Sequence, residues 1–129
     1  MTPLQYIVAA ILLLVFDIAW LTINRSSYSR MIHNIQQTPL KLHIPSTILA
    51  YAIMYFTLVG VIMPSIEKSE KTFKNIALIA GTQGAIIYGI YNATNMAVFS
   101  NYKLSTAIMD TLWGMFMYTT IATILVYWI

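Results

Sequence analysis

Two aspartates, Asp17 and Asp110, stand in long apolar runs, and they are half of the chain's four acidic residues. An ionisable side chain inside a bilayer costs roughly 2.5–3.5 kcal/mol even on the mildest insertion scales, so it points to a functional group. Each aspartate opens the same short motif, Asp17-x-x-Trp20 and Asp110-x-x-Trp113. On a helix, the i,i+3 spacing sets the indole beside the carboxylate on one face. Two carboxylates brought together there suit proton relay, cation binding or general acid–base work. A third segment, Tyr88-Gly-Ile-Tyr91-Asn92-Ala-Thr94-Asn95, carries phenols and amides inside another apolar stretch. The expected binding site, or proton or ion pathway, is therefore Asp17, Trp20, Tyr88, Tyr91, Asn92, Asn95, Asp110 and Trp113.

These residues need elements that hold them at a common depth. Crossing ~30 Å of hydrocarbon takes about 20 apolar residues in a helix. Four stretches answer to that, at about 3–24, 46–63, 75–99 and 105–128. Pro3 is acceptable in an opening turn. The second stretch, entered through His43-Ile44-Pro45 and stopped by Pro64, is the shortest. Barrel strands would alternate apolar and polar residues in ~10-residue pieces, and no such alternation occurs. The expectation is an all-α integral membrane protein, one domain of four transmembrane helices in a single bundle. The first run has no Lys or Arg before it and no small-residue cleavage site after it, so it reads as a retained membrane helix.

The connections are short. Arg25 to Pro45 forms the longest, a polar loop. Ser65 to Lys74 is a charged turn in which Glu67–Lys71 and Glu70–Lys74 sit at i,i+4, which predicts a solvated helical extension. Ser100 to Leu104 is a tight link.

Depth follows from a rise of 1.5 Å per residue. Asp17 lies ~10 Å from the end of the first span, and Asp110 ~8 Å inside the start of the fourth, at the same interface. The third span ends there too, with Asn92 at ~10 Å and Asn95 nearer the surface. Gly81, Gly84, Tyr88, Tyr91 or Asn92, and Asn95 recur at three- and four-residue steps, which is one helix face. Its small residues allow close approach to a neighbour. The second span begins in this layer with Tyr51 and Tyr55. All four helices thus deliver polar or phenolic groups to one slab. Trp20 suits an interfacial anchor, the deeper Trp113 suits packing within the bundle, and Gly114 lets the fourth helix approach a partner.

Composition excludes much else. The chain has 129 residues, 59% apolar and 9% charged, with a mean hydropathy of +0.72. Soluble domains are about a quarter charged, so this chain cannot cover a water-facing surface. Its net charge of +3 comes from seven basic residues scattered over the loops, with no basic stripe for nucleic acid. Such cations face lipid phosphates. Lys68, Lys71 and Lys74 stand on one side against Arg25, Arg30, Lys41 and Lys103 on the other, three against four, which gives no orientation. Cys is absent, so there is no disulfide framework or thiolate chemistry. His33 and His43 lack a ligand spacing and no Lys lies mid-span for a Schiff base, so neither metal nor cofactor is expected. Asn24-Arg-Ser26 and Asn92-Ala-Thr94 match the glycosylation pattern but abut or enter the membrane.

The set Asp17-x-x-Trp20-Leu21, Tyr28, Pro64, Gly81/Gly84, Tyr91-Asn92-x-Thr94-Asn95-x-Ala97 and Asp110-x-x-Trp113-Gly114 resembles a family of small, mainly bacterial predicted membrane proteins, domain of unknown function 2177. The likeness spans nearly the whole chain. It implies a four-helix membrane unit and carries no agreed activity; the expected place is the cell inner membrane if the source is bacterial. The family typically has Asp where this chain has Asn92, and the link around Asn101-Tyr102 lacks a Trp-Pro commonly seen there. Without the third carboxylate, a hydrogen-bonding pocket still survives.

The leading functional expectation is translocation of protons, cations or a small polar solute. A membrane-embedded lipid-modifying enzyme is the alternative, since an acid–base pair ~8–10 Å below the interface meets lipid ester and headgroup bonds. No nucleophile motif supports it. A third reading is a scaffold or assembly subunit whose polar residues are interhelical hydrogen-bond glue. Expected partners are the lipid bilayer, a bound lipid or small polar solute, and a second copy of the chain in a homo-oligomer; Gly81-x-x-x-Ala85 and Ala85-x-x-x-Gly89 are candidate contacts for it, and equally for packing within the protomer.

Overall fold

A computed structural model describes residues 1–129, and every regular element in it is helical. The order is α1 (Pro3–Ile23), α2 (Arg25–Gln36), α3 (Ile44–Phe56), α4 (Met63–Glu67), α5 (Phe73–Val98) and α6 (Leu104–Tyr127). A π-helical segment, Thr57–Ile62, joins α3 to α4. Four helices are long and apolar enough to cross a membrane: Pro3–Ile23, the continuous Ile44–Glu67, Phe73–Val98 and Leu104–Tyr127.

Local chemistry sets the helix starts. Thr2 and Gln5 form a reciprocal capping box, with Gln5 N–H donating to Thr2 Oγ1 at 3.2 Å and Thr2 N–H to Gln5 Oε1 at 2.8 Å. Pro3 follows in the first turn, where its missing N–H costs nothing. Thr72 caps α5 by accepting from the Asn75 amide at 3.2 Å. The termini meet at one end of the bundle: Gln5 Nε2 donates to the Leu125 carbonyl at 3.0 Å, and the Met1 amine lies 3.3 Å from Glu67 Oε1.

Three local expectations change. Pro64 does not stop the second span, because it falls in the opening turn of α4, just after the π-helical register break. A widened turn there removes the i→i−4 bond that proline would otherwise spoil. The charged turn is not a helical extension, because α4 ends at Glu67 and α5 starts at Phe73. The Glu67–Lys71 and Glu70–Lys74 pairs therefore share no helix, and Glu67 pairs with the terminal amine instead. Most of the long polar loop is α2, whose Met31 is buried and whose Tyr28, Ile32 and Ile35 are half-buried while Arg25, Arg30 and His33 face outward. That is an amphipathic helix at the mouth of the bundle.

The tightest packing is α5 on α6. A Cβ on Gly84 would sit 2.6 Å from the Gly114 carbonyl carbon and 2.9 Å from Met115 Cα, so the two backbones touch. Gly81 faces Thr119 and Gly89 faces Thr111. The small-residue stripe proposed for a second copy is thus occupied by α6 of the same chain. The apolar core of Leu13, Leu58, Ile62, Ile66, Ile76, Met117, Ile121 and Leu125 fills the bundle toward the end that carries the termini. The opposite end holds the polar residues.

Candidate functional site

Asp110 lies two turns into α6 and is 7% exposed. Its Oδ1 accepts from Trp20 Nε1 and from the Tyr28 hydroxyl, each at 3.0 Å. The indole N–H is shared with the Tyr28 oxygen, also at 3.0 Å, closing a triangle. Asp110 Oδ2 accepts from Asn92 Nδ2 at 2.6 Å. The same amide nitrogen donates to the Tyr88 carbonyl at 2.8 Å, and Asn92 Oδ1 accepts from the Tyr102 hydroxyl at 2.7 Å. Asn24 Nδ2 holds the Trp20 carbonyl at 2.9 Å, tying down the last turn of α1. One carboxylate thus gathers α1, α2, α5 and, through Asn92, the link before α6.

Asp17, half-buried on α1, has its own partner: the Tyr51 hydroxyl of α3 donates to its Oδ2. The Tyr88 phenol lies beside Asp17 and within the field of Asp110 as well. The two carboxylates share no hydrogen bond. Each is solvated separately by neutral donors. Aromatic bulk accompanies them: Trp20 and Trp113 stack with centroids 4.8 Å apart and planes 8° apart. Phe16 and Phe116 flank Trp113 at 6.1 and 5.5 Å.

Asp17, Trp20, Tyr88, Asn92 and Asp110 come together. Trp113 joins through the stack, and its buried indole N–H has no acceptor. Asn95 sits on the rim beside the Tyr102 phenol. Tyr91 does not join; it is 59% exposed on the outside of the bundle. The three-or-four step from Tyr88 reaches either Tyr91 or Asn92, about 100° apart on a helix, and the i+4 row Gly84–Tyr88–Asn92 is the one that faces α6. Tyr55 turns away as well and donates to the Tyr6 carbonyl at 3.0 Å. Trp20, suited to an interfacial anchor, is a direct ligand of Asp110. Tyr28 and Tyr102 were not among the expected site residues; Tyr28 stood in the set that carries the family resemblance, and the signal for Tyr102 was its position in the link before α6.

Tyr28 and Tyr102 lie outside the spans. Burial first, then the charge of Asp110, pushes the Tyr28 hydroxyl well above its ordinary range. Burial also raises Tyr102, against a lowering contribution from Asn95. Both therefore stay protonated and available as donors at neutral pH. No third acid or histidine converges on the carboxylates.

Above the Asp110 triangle, a cleft of about 120 Å³ opens at the bundle mouth. Trp20, Asn24, Ser27, Tyr28, Lys103, Ser105, Thr106 and Met109 line it. Trp20 and Tyr28 have double membership: each lines the cleft and each donates to Asp110.

Four apolar spans and a buried, charge-bearing polar cluster define a multi-pass integral membrane protein. The family model for predicted membrane proteins, DUF2177, matches residues 2–128, and the chain belongs to that family. No curated protein and no solved structure matches it.

Proposed function

We propose that the protein takes up a proton or small cation at the Asp110–Asp17 site and moves it, alone or with a small polar solute, across the bilayer. One observation carries this reading: two carboxylates stand in the spans with only neutral donors, while no Lys or Arg interrupts the core of any span. A buried charge without a counter-charge is costly even when hydrogen-bonded. The missing partner is a positive one. A carboxylate offers about four lone-pair directions, and three of those on Asp110 are filled. Tyr28 links the cleft to Asp110 through one hydroxyl, which would give its proton to Asp110 as its oxygen takes one from the cleft, with rotation of the new O–H resetting the relay.

The half of the bundle toward the termini is closed by apolar side chains. Release on that side therefore requires helix movement, and the π-helical Thr57–Ile62 segment is a natural site for a register shift in the second span. The test is flux in proteoliposomes carrying an internal pH indicator and a cation gradient. Asp110→Asn should abolish flux and Asp17→Asn should cut it at least tenfold, with helical content retained by circular dichroism. Unchanged flux in both variants, with only a lower melting temperature, would leave the carboxylates as packing glue.

A further inference from the structure

The mouth cleft carries charges of opposite sign at its two ends. Lys103 is the cation among its lining residues, at the rim. Asp110 lies just beneath the floor formed by Trp20 and Tyr28. Lys103 is the N-cap residue of α6 and stands seven positions before Asp110, which separates their backbones by ~10 Å. Between them the walls offer the Ser27, Ser105 and Thr106 hydroxyls and the Asn24 amide. A simple anion would find Lys103 but be repelled from below. A simple cation would find the Trp20 ring, with Asp110 beneath it, but be repelled at the rim. A ligand with an ammonium at one end and an anion a few bonds away meets both.

Size narrows the class. About 120 Å³ is well under the ~300–1,000 Å³ of sites for drug-sized ligands. Depth narrows it further. Ser105, Thr106 and Met109 lie within ~8 Å of the start of α6, which is headgroup level in a bilayer. Hydroxyls with a lysine are a usual phosphate environment, and an indole face is a usual ammonium environment.

We propose that this cleft binds an amine-bearing phosphate of the phosphoethanolamine type, with its ammonium over Trp20 toward Asp110 and its phosphate on Lys103 and the Ser27, Ser105 and Thr106 hydroxyls. The assignment rests on the reading that Asp110 attracts a positive group, and it names the ligand class of that site. The same chemistry is presented by free phosphoethanolamine and by the headgroup of a phospholipid.

The full chain in detergent, in a Trp128→Phe background, is titrated with phosphoethanolamine, ethanolamine and inorganic phosphate while tryptophan emission is followed. Phosphoethanolamine should saturate at a concentration at least tenfold below either fragment. Lys103→Gln, a change at an exposed position that leaves the bundle intact, should erase that advantage and leave the ethanolamine response as it was. Asp110→Asn should remove the response to both amines. If phosphoethanolamine binds no better than ethanolamine, and Asp110 still governs ethanolamine, the zwitterion assignment falls and the cation reading stands. If Asp110→Asn stays folded and leaves the ethanolamine response unchanged, both fall. Nanodiscs separate the sources. Competition by phosphatidylethanolamine discs but not phosphatidylglycerol discs supports the proposal with a lipid ligand; absence of competition, with phosphoethanolamine still bound tightly, supports it with a soluble one.

Discussion

Asn92 Nδ2 lies 2.6 Å from Asp110 Oδ2, and this contact joins α5 to α6 at the buried carboxylate while the other end of the amide accepts from Tyr102. An amide suits this place because it donates and accepts at once. A carboxylate at position 92 could not donate unless it carried a proton.

Asn92→Leu should therefore destabilise the bundle by about 1–3 kcal/mol, the cost of leaving a buried acceptor and donor unpaired. Hydrogen bonds in membrane proteins average only about 0.6 kcal/mol, but a carboxylate acceptor puts this one toward the upper end. Asn92→Asp should behave differently. Two carboxyl groups at this distance hold together only by sharing a proton and titrate as a pair. Its melting temperature in detergent should fall as pH rises through the titration of that pair, more steeply than that of the parent chain.

Gly84 and Gly114 set how closely α5 and α6 approach. A Cβ on Gly84 meets backbone atoms of Gly114 and Met115, which cannot swing aside. A Cβ on Gly114 meets the Tyr88 ring. Gly84→Ala should cost about 1–3 kcal/mol through forced helix separation. Gly89→Ala is the control, since its Cβ would make an ordinary 3.9 Å contact with Thr111. It should be neutral or mildly stabilising through helix propensity. Thermal unfolding in one detergent compares both variants with the parent chain.

Tyr28 gives the alkaline limit. Its hydroxyl is raised above the ordinary 10.0 by burial and by Asp110, so the folded value exceeds the unfolded one. A group shifted in that direction contributes stability that is complete below the unfolded pKa and lost as pH rises through the folded one. Tyr102 shifts the same way, also through burial. The parent chain should lose stability above about pH 10 more steeply than Tyr28→Phe, which has already lost the bond to Asp110. Melting curves across that range, with tyrosinate absorbance as the monitor, measure the difference.

The sequence alone made the spans readable because hydropathy over about 20 residues is a property of length and composition. The polar slab was readable because a fixed rise per residue converts sequence position into depth. Rotation was harder. Tyr91 and Asn92 are neighbours, and only the glycine contacts of α5 decide which one turns inward. The helix α2 was hidden by its polar composition, although Tyr28, Met31, Ile32 and Ile35 carry the three- and four-residue spacing of an apolar face. Pro64 misled because the sequence Thr57–Ile62 carries no visible mark of a π-helical turn. The direct pairing of Asp17 with Asp110 did not form, since depth fixes height and not side-chain direction, and Tyr51 and Asn92 took those positions instead.

The two stacked indoles should respond unequally to the same substitution. Trp20 Nε1 donates toward Asp110 and Tyr28, whereas Trp113 Nε1 is buried without an acceptor. Trp20→Phe keeps an aromatic ring but strips a donor from a carboxylate, which costs about 1.5–3 kcal/mol. Trp113→Phe keeps a ring against Phe16, Trp20 and Phe116 and removes a desolvated N–H that nothing satisfies, a gain of about 1–3 kcal/mol that offsets the lost apolar contact. Trp113→Phe should therefore melt within a few degrees of the parent chain, and Trp20→Phe well below it. Flux should follow the same order, because only Trp20 touches the carboxylate. Equal losses from the two variants would mean that ring area, not the N–H, is what the pocket requires of an indole.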